Sequence, residues 1–213
     1  MNITDYQAPP LPETWAKILE LIFDRQRELM VAYKEIEQLP AWPISLHTAH
    51  GQKTLRDFAW RATEELAESY EAYEAGNKEH QYEELADSTH FMVELLIFAG
   101  VTAEQCHAKL MEFPMVNPWP GESADTTTFS TFVPARSYWN ATYWLGIAMN
   151  FLRNKSWKQS QVPTDEGRFR AAIIDAFVAH VHVWSSVGLG PSAFYGFYFR
   201  KSEVNKFRQR SQY

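Results

Sequence analysis

The chain has 213 residues, of which 46% are apolar and 15% aromatic, so it can bury a sizeable core in a single domain spanning residues 1–213. Its formal net charge is −6 and it has no long basic run, which argues against a protein that binds nucleic acid or an anionic membrane through lysine and arginine. Its one cysteine, Cys106, excludes an internal disulfide and is typical of a reducing compartment.

Neither the N-terminal sequence nor the apolar runs indicate export or membrane insertion. The first residues lack the basic-then-apolar order of a signal peptide. The longest apolar run, FMVELLIFAGV, is too short to cross a bilayer and is interrupted by Glu94. We therefore expect a soluble cytoplasmic protein without a membrane partner.

Helical periodicity dominates the chain after a proline-containing arm over residues 1–12. Apolar residues recur at helical spacing, strand-like alternation is rare, and prolines or glycines separate the segments. Gly76 and Gly100 are predicted to stop the second and third helices, and Thr102 to cap the fourth. The predicted fold class is all-α, a helical bundle with helices at about residues 13–38, 54–75, 81–99, 102–113, 137–153, 166–187 and 194–210.

The segment 114–135 differs in composition from the rest of the chain. It holds four prolines, a Ser/Thr cluster and Gly121, which are residues of turns and loops rather than of helix interiors. We expect an ordered, irregular excursion or lid inserted into the single domain.

Acidic residues of the predicted second helix fall on two different faces. Glu64 and Glu71 lie opposite the apolar stripe and are expected in solvent, whereas Glu65 lies at its margin and Glu68 follows on the same flank. Two acids are therefore predicted to point along the edge of the core. The stripe that defines this core face comprises Phe58, Ala62, Leu66, Ser69 and Tyr73.

The predicted third helix carries a second pair of acids three residues apart. Glu84 falls inside an apolar arc and Asp87 at its margin, where a lone carboxylate would have to be protonated or find a partner. The turn between the two helices is short, so we expect them to pack antiparallel. In that arrangement Glu65 and Glu68 can face Glu84 and Asp87.

Four carboxylates at such close range repel one another by about 4 kcal/mol for each pair at about 4 Å, with an effective dielectric constant near ~20. No lysine or arginine lies within either pair of acids. A hard divalent cation would offset the repulsion, and Mg²⁺ prefers carboxylate oxygens while keeping positions for water and phosphate. The pattern favours a magnesium site for a phosphate-bearing substrate; the alternative is that both pairs are solvated surface acids.

The acidic pairs Glu65-x-x-Glu68 and Glu84-x-x-Asp87 resemble the signature of the all-α nucleoside triphosphate pyrophosphohydrolases. These include the MazG-like enzymes, the dimeric dUTPases and their phage dCTPase/dUTPase relatives. The stretch EELADSTHFMVELL is most similar to the dimeric dUTPase branch, in which a histidine follows the aspartate by three, as His90 does here. The resemblance implies an all-α fold of this type and a homodimer. It also implies that the four acids hold two or more Mg²⁺ ions, which Mn²⁺ can replace.

The C-terminal sequence KSEVNKFRQRSQY is similar to the C-terminal motif of the same branch. Lys201, Asn205 and Arg208 match the motif and share one helical face, as gripping an oligophosphate from one side requires. Gln209 and Tyr213 complete the match. The resemblance implies that this segment binds the substrate; a basic surface helix is the alternative.

Four further residues are candidates for contact with the nucleotide. The resemblance implies that Gln26 hydrogen-bonds the base, although Met30 stands where the branch has asparagine and a thioether cannot replace an amide. His90 matches the branch as a substrate-binding residue. The stretch LRNKSWKQ resembles a Lys/Trp segment of the phage enzymes, which implies that Lys155 or Lys158 lies near phosphate. Trp60 is a candidate wall of the base pocket.

The resulting hypothesis is Mg²⁺-dependent hydrolysis of a deoxynucleoside triphosphate, dUTP or dCTP first, to the monophosphate and pyrophosphate. The ions would activate a bound water and neutralise the phosphates, and Glu65 or Glu68 would orient or deprotonate that water. Two rivals remain open. One is a MazG-like house-cleaning enzyme with another or a broad base preference, and the other is a non-catalytic helical interaction module.

Overall fold

The computed structural model describes residues 8–112 except 35 and 37, residues 134–153 and residues 162–210, with the backbone alone for residues 208–210. Within these residues the chain forms seven helices and no strand, so the all-α prediction is confirmed. Residues 114–133 of the predicted excursion lie outside the described residues, and residues 134 and 135 open a helix. The helices are α1 (Trp15–Tyr33), α2 (Ala49–Glu74), α3 (Lys78–Phe98), α4 (Ala103–Met111), α5 (Pro134–Phe151), α6 (Glu166–Ser186) and α7 (Pro191–Arg210).

Short polar side chains set where several helices begin. The side-chain oxygens of Thr14, Thr48 and Asn77 each accept the backbone N–H three residues on, at 3.3, 3.1 and 3.3 Å. Thr102 caps α4 as predicted, in a reciprocal capping box with Gln105. Because the cap of α2 is Thr48, this helix begins earlier than the predicted start near residue 54.

Two glycines end the helices that carry the acids. Gly76 and Gly100 have φ values of 72° and 73°, the left-handed conformation that favours glycine. The residue after each glycine donates its N–H back into the helix, from Asn77 to Ala72 and from Val101 to Leu96, both at 2.9 Å. The predicted stops are therefore confirmed, whereas α1 ends at Tyr33, before its predicted end near residue 38.

α3 is the central helix of the bundle. It packs against α2 along most of its length and also contacts α1, α6 and α7. Fully burying one large apolar side chain contributes about 1.5–3 kcal/mol, so its continuous apolar surface anchors the core. The buried apolar residues of α3 are Leu85, Ala86, Met92, Val93, Leu95, Leu96, Ile97 and Phe98.

Two hydrogen bonds fix how α2 and α3 lie against each other. The Ser69 hydroxyl donates to the carbonyl oxygen of Gln81 at 3.0 Å, and the Ser88 hydroxyl donates to that of Ala62 at 3.0 Å. The later position on α2 is bonded to the earlier position on α3, so the two helices run antiparallel, as the short turn predicted. This register decides which acids meet.

The helices nearest the two ends of the described chain are joined by polar contacts. Arg25 of α1 donates to the Ser202 hydroxyl of α7 at 2.5 Å and forms an ion pair with Glu203. The Tyr33 hydroxyl donates to the carbonyl oxygen of Asn205 at 3.4 Å. These contacts hold one face of α7 against α1, beside the acid-bearing helices.

No single helix in the described part of the chain is both long and apolar enough to cross a membrane. Two pairs of consecutive helices, α3 with α4 and α6 with α7, pass the same limits only when taken together, and they bend at their breaks by 114° and 106°.

Candidate functional site

Three of the four predicted acids meet between α2 and α3. One carboxylate oxygen from each of Glu65, Glu84 and Asp87 lies within 4.8 Å of the other two, and all three residues are half-buried. The antiparallel register sets Glu65 level with the turn of α3 that carries the other two. Glu68 is exposed and lies one helical turn nearer the loop between α2 and α3, outside this group of described residues. The expected convergence of four carboxylates is therefore a convergence of three, with Glu68 at the rim.

Negative charge is crowded where the three acids meet. Burial, a hydrogen bond with Glu84 and the negative charges of Asp87, Glu84 and Glu68 raise the pKa of Glu65 to about 8. The crowding of these groups therefore favours the protonated form of Glu65. Glu68 contributes to this shift from the rim, so its charge acts on the group although its carboxylate does not join it.

Two basic side chains from outside the acidic pairs also face the group. The Lys201 ammonium of α7 lies 2.6 Å from Asp87 Oδ2, and neither side chain is more than about one-fifth exposed, at 16% and 20%. The His80 ring nitrogen Nδ1 lies 3.1 Å from Glu84 Oε1. The sequence resemblance implies a phosphate contact for Lys201, and the structure places its ammonium directly on one of the acids.

A cavity with a volume of ≈ 180 Å³ opens beside Glu65 and Asp87. Four helices build its walls, and polar side chains outnumber apolar ones among the lining residues. The lining residues are Gln26, Leu29 and Tyr33 of α1, Arg61 and Glu65 of α2, Asp87, His90, Phe91 and Glu94 of α3, and Asn205 of α7.

Gln26 and His90 form the buried floor of this cavity with Tyr198 of α7. His90 Nδ1 lies 2.9 Å from the Oε1 position of Gln26, and Nε2 lies 3.2 Å from the carbonyl oxygen of Tyr198. The imidazole stacks on the Tyr198 ring with centroids 4.1 Å apart. Burial lowers the pKa of His90 to about 3, so the ring is neutral. His90, predicted to contact substrate, is engaged through both ring nitrogens with the protein.

Arg61 and Glu94 line the cavity although sequence reasoning did not single them out. The Arg61 guanidinium lies over two phenylalanine rings, 4.7 and 5.6 Å from their centroids. Glu94 is 8% exposed. Helical spacing predicts that both lie on the same face as the acids, because Arg61 lies one turn before Glu65 and Glu94 lies two turns after Asp87.

The remaining predicted residues divide into those that the structure places elsewhere and those that it does not describe. Met30 is fully buried in the core and is not part of the described cavity lining, where the second amide is Asn205. Trp60 is 62% exposed on α2, donates its indole N–H to Glu64 at 2.6 Å, and likewise does not join the described lining. Outside the described residues lie Lys158, Tyr213 and the side chains of Arg208 and Gln209.

Comparison of the chain with protein-family models, with curated proteins and with solved structures finds no match. What the site can do is therefore inferred from its own groups. Three convergent carboxylates supply the hard oxygen ligands that Mg²⁺ prefers, and the adjoining cavity leaves room for a ligand on one side.

Proposed function

We propose that the protein is a Mg²⁺-dependent hydrolase that cleaves a deoxynucleoside triphosphate to the monophosphate and pyrophosphate. The observation that supports this most strongly is the convergence of Glu65, Glu84 and Asp87 beside the cavity. An open set of carboxylates suits Mg²⁺, which usually completes its coordination with water and substrate phosphate. The residue pattern that resembles the all-α pyrophosphohydrolases supports the same reaction.

The groups of the site have complementary roles in this proposal. Bound Mg²⁺ supplies the charge that activates a water and neutralises the phosphate chain. Glu65, Glu84 and Asp87 would hold the cation, and Glu65, in its ionised form, would also orient or deprotonate the attacking water. Glu68 would hold a second ion from the exposed rim. Lys201, which lies beside Asp87, would supply positive charge to the phosphate oxygens.

The base end of the nucleotide fits the cavity. Leu29, Tyr33 and Phe91 give it apolar and aromatic walls, and Gln26 gives it a polar floor. From the resemblance, dUTP and dCTP are the first candidates. Because Met30 is packed in the core, its thioether does not decide between these two bases.

One observation favours the non-catalytic alternative. The ion pair of Lys201 with Asp87 offsets negative charge in the group, and the raised pKa of Glu65 favours its neutral form. An interaction module could keep such a cluster as part of its fold. The two possibilities differ in whether Mg²⁺ and a nucleotide bind and react. A MazG-like enzyme with broad base preference differs instead in the range of nucleotides cleaved.

The deciding experiment is pyrophosphate release from eight nucleotides, with and without Mg²⁺. We expect Glu84→Gln and Asp87→Asn to lower turnover by about 100-fold or more while the melting temperature is kept, because each removes a ligand of the cation. Glu71→Gln changes an exposed glutamate on the outer face of α2 and serves as the matched control. Near-wild-type rates in both acid variants would refute the assignment, and no release from any nucleotide supports the interaction module.

The homodimer implied by the resemblance is part of the proposal. α5 exposes Trp139 and Tyr143, at 65% and 46%, and aromatic side chains are enriched where proteins associate. Light scattering on the purified protein measures the mass in solution, and a monomer at micromolar concentration contradicts the dimer.

A further inference from the structure

The ring of His90 makes two contacts, and only one tautomer of the neutral imidazole satisfies both. Nε2 lies 3.2 Å from the carbonyl oxygen of Tyr198, which can accept a hydrogen bond but cannot donate one. His90 is 4% exposed, and burial favours the neutral ring, which carries a single N–H. The hydrogen therefore belongs on Nε2, where it is donated to Tyr198. Nδ1 is then an acceptor and needs a donor at 2.9 Å, where the Gln26 amide lies.

The Gln26 amide supplies that donor when its nitrogen faces His90. The two ends of a side-chain amide are nearly equal in size, so a half-turn exchanges them without changing the heavy-atom distances appreciably. In this orientation the NH₂ group donates to His90 Nδ1 and also to the Tyr198 hydroxyl, 2.8 Å away. The hydroxyl is then free to donate to the carbonyl oxygen of Ile22 at 3.2 Å.

The opposite orientation leaves the floor with mismatched groups. If the amide oxygen faced His90, Nδ1 would carry the hydrogen, and Nε2 would oppose the Tyr198 carbonyl oxygen as a second acceptor at 3.2 Å. The Tyr198 hydroxyl could then donate to Gln26 or to Ile22, but not fully to both. Unmatched buried acceptors are costly, so the first orientation is favoured.

The outer end of the Gln26 amide is the part that a ligand meets. Gln26 is 4% exposed and lines the cavity, and among the described residues its outer amide end has no hydrogen-bond partner. With the nitrogen turned to His90, this outer end is the carbonyl oxygen. A nearly buried carbonyl oxygen that faces a cavity gains most from a ligand that donates a hydrogen bond to it.

We propose that His90 is a positioning residue that, with Tyr198, turns the carbonyl oxygen of Gln26 into the cavity, so that the site selects a ligand presenting an N–H group there. This inference rests on the proposed function for the identity of the ligand as a nucleotide. The N3–H of uracil and the amino group of cytosine meet the requirement. An N3-methylated uracil removes the donor and adds bulk at the same point.

Nitrogen NMR of the histidine rings tests the positioning role without any substrate. In the nucleotide-free protein we expect His90 to be neutral near pH 7, with the hydrogen on Nε2 and none on Nδ1; the signal is assigned by its loss in His90→Phe or His90→Asn. A ring protonated on Nδ1, or on both nitrogens, overturns the proposal. If the expected tautomer is seen but no nucleotide is hydrolysed, the proposed function fails and the orientation of Gln26 stands.

Variants of His90 test the selection of the ligand. His90→Phe keeps the stacking on Tyr198 but no longer accepts from Gln26, so the amide can turn. We expect KM for dUTP to rise about tenfold with a smaller change in kcat, and discrimination against N3-methyl-dUTP to weaken. His90→Asn places an acceptor near Nδ1 and should restore both values. Unchanged KM and unchanged discrimination in His90→Phe contradict the proposal, and should that variant not fold, the NMR result on the unsubstituted protein decides.

Discussion

α3 carries a polar cluster on each of two faces, and the polar groups of the two clusters find their partners in different ways. Towards α6, the Thr89 hydroxyl donates to the carbonyl oxygen of Leu85 at 2.7 Å and accepts the indole N–H of Trp184 at 3.3 Å. It also lies 2.9 Å from His180 Nε2, and Thr89, His180 and Trp184 are buried. One atom of this core cluster, His180 Nδ1, has no hydrogen-bond partner among the described residues.

Towards α2, the acid group has the opposite character. Glu65, Glu84 and Asp87 bring more acceptors than donors, which raises the pKa of Glu65, and the ammonium of Lys201 pairs with Asp87. A cavity opens beside them, whereas the described lining of that cavity contains no member of the core cluster. Burial of polar side chains therefore does not by itself mark a site. An excess of like charge beside open space is the stronger indication.

The largest expected effect on stability comes from breaking the core cluster. Thr89→Val removes the acceptor of Trp184 and the partner of His180, so we expect a loss of about 3 kcal/mol from two unmatched buried groups. Turnover and metal binding should be kept, because the cluster does not line the described cavity. Urea unfolding measures the change, and Ser88→Ala, which loses one bond to α2, is the neighbouring control with a loss of about 1 kcal/mol. Lost turnover at unchanged stability would show that the two clusters are not separate.

A smaller effect is expected when the balance of charge in the acid group is changed. Lys201 lies 2.6 Å from Asp87 and would therefore compete with a bound cation for that carboxylate. We expect Lys201→Met to bind Mn²⁺ about fivefold more tightly in the absence of nucleotide, because an ion pair of this exposure is worth about 1 kcal/mol. Calorimetry measures the affinity. Lys206→Met removes the same charge near Glu28, 3.6 Å away, and an equal gain in that control contradicts the competition.

The smallest effect concerns the dependence of stability on pH. The pKa of Glu65 is about 8 in the folded protein, above its ordinary value of 4.5, so the folded state keeps a proton that the unfolded chain releases. Its contribution to stability is present below pH 4.5 and is lost as the pH rises through about 8. Glu65→Gln stays neutral, so with a chelator present the variant should gain stability over the unsubstituted protein between pH 5 and pH 9, to a degree set by its partial exposure. If the free energies of unfolding of the two proteins differ by the same amount at every pH in this range, the raised pKa of Glu65 is contradicted.

The helical architecture and the position of three acids were predictable from local pattern. Periodicity gives the direction of a side chain around its own helix, which is why the sequence predicts Glu65 and Asp87 at the margin of an apolar face and Glu84 inside one. It does not give the register between helices. Hydrogen bonds of Ser69 and Ser88 set that register, and they leave Glu68 at the rim.

The parts of the site that the sequence did not reveal depend on contacts between distant segments. Met30 and Asn205 illustrate this, because the resemblance puts Met30 at a position that contacts the base and Asn205 in the segment that binds phosphate. Asn205 comes from α7 and lines the cavity, while Met30 turns into the core. The approach of Lys201 to Asp87 has the same origin, since no local spacing pairs α7 with α3.

The contact between α1 and α7 has a consequence for how the site is assembled. Arg25 and Ser202 are 177 positions apart in the chain, and Tyr33 and Asn205 are 172 apart. Helices α2 and α3 are joined by a short turn, so they can pair locally. Distant contacts cost more entropy to form, so we expect the cavity wall that α1 and α7 provide to form later in folding. The charged half of the site therefore belongs to an early local unit and the enclosing half to a late one. A ligand that contacts both units would stabilise the folded bundle by its free energy of binding.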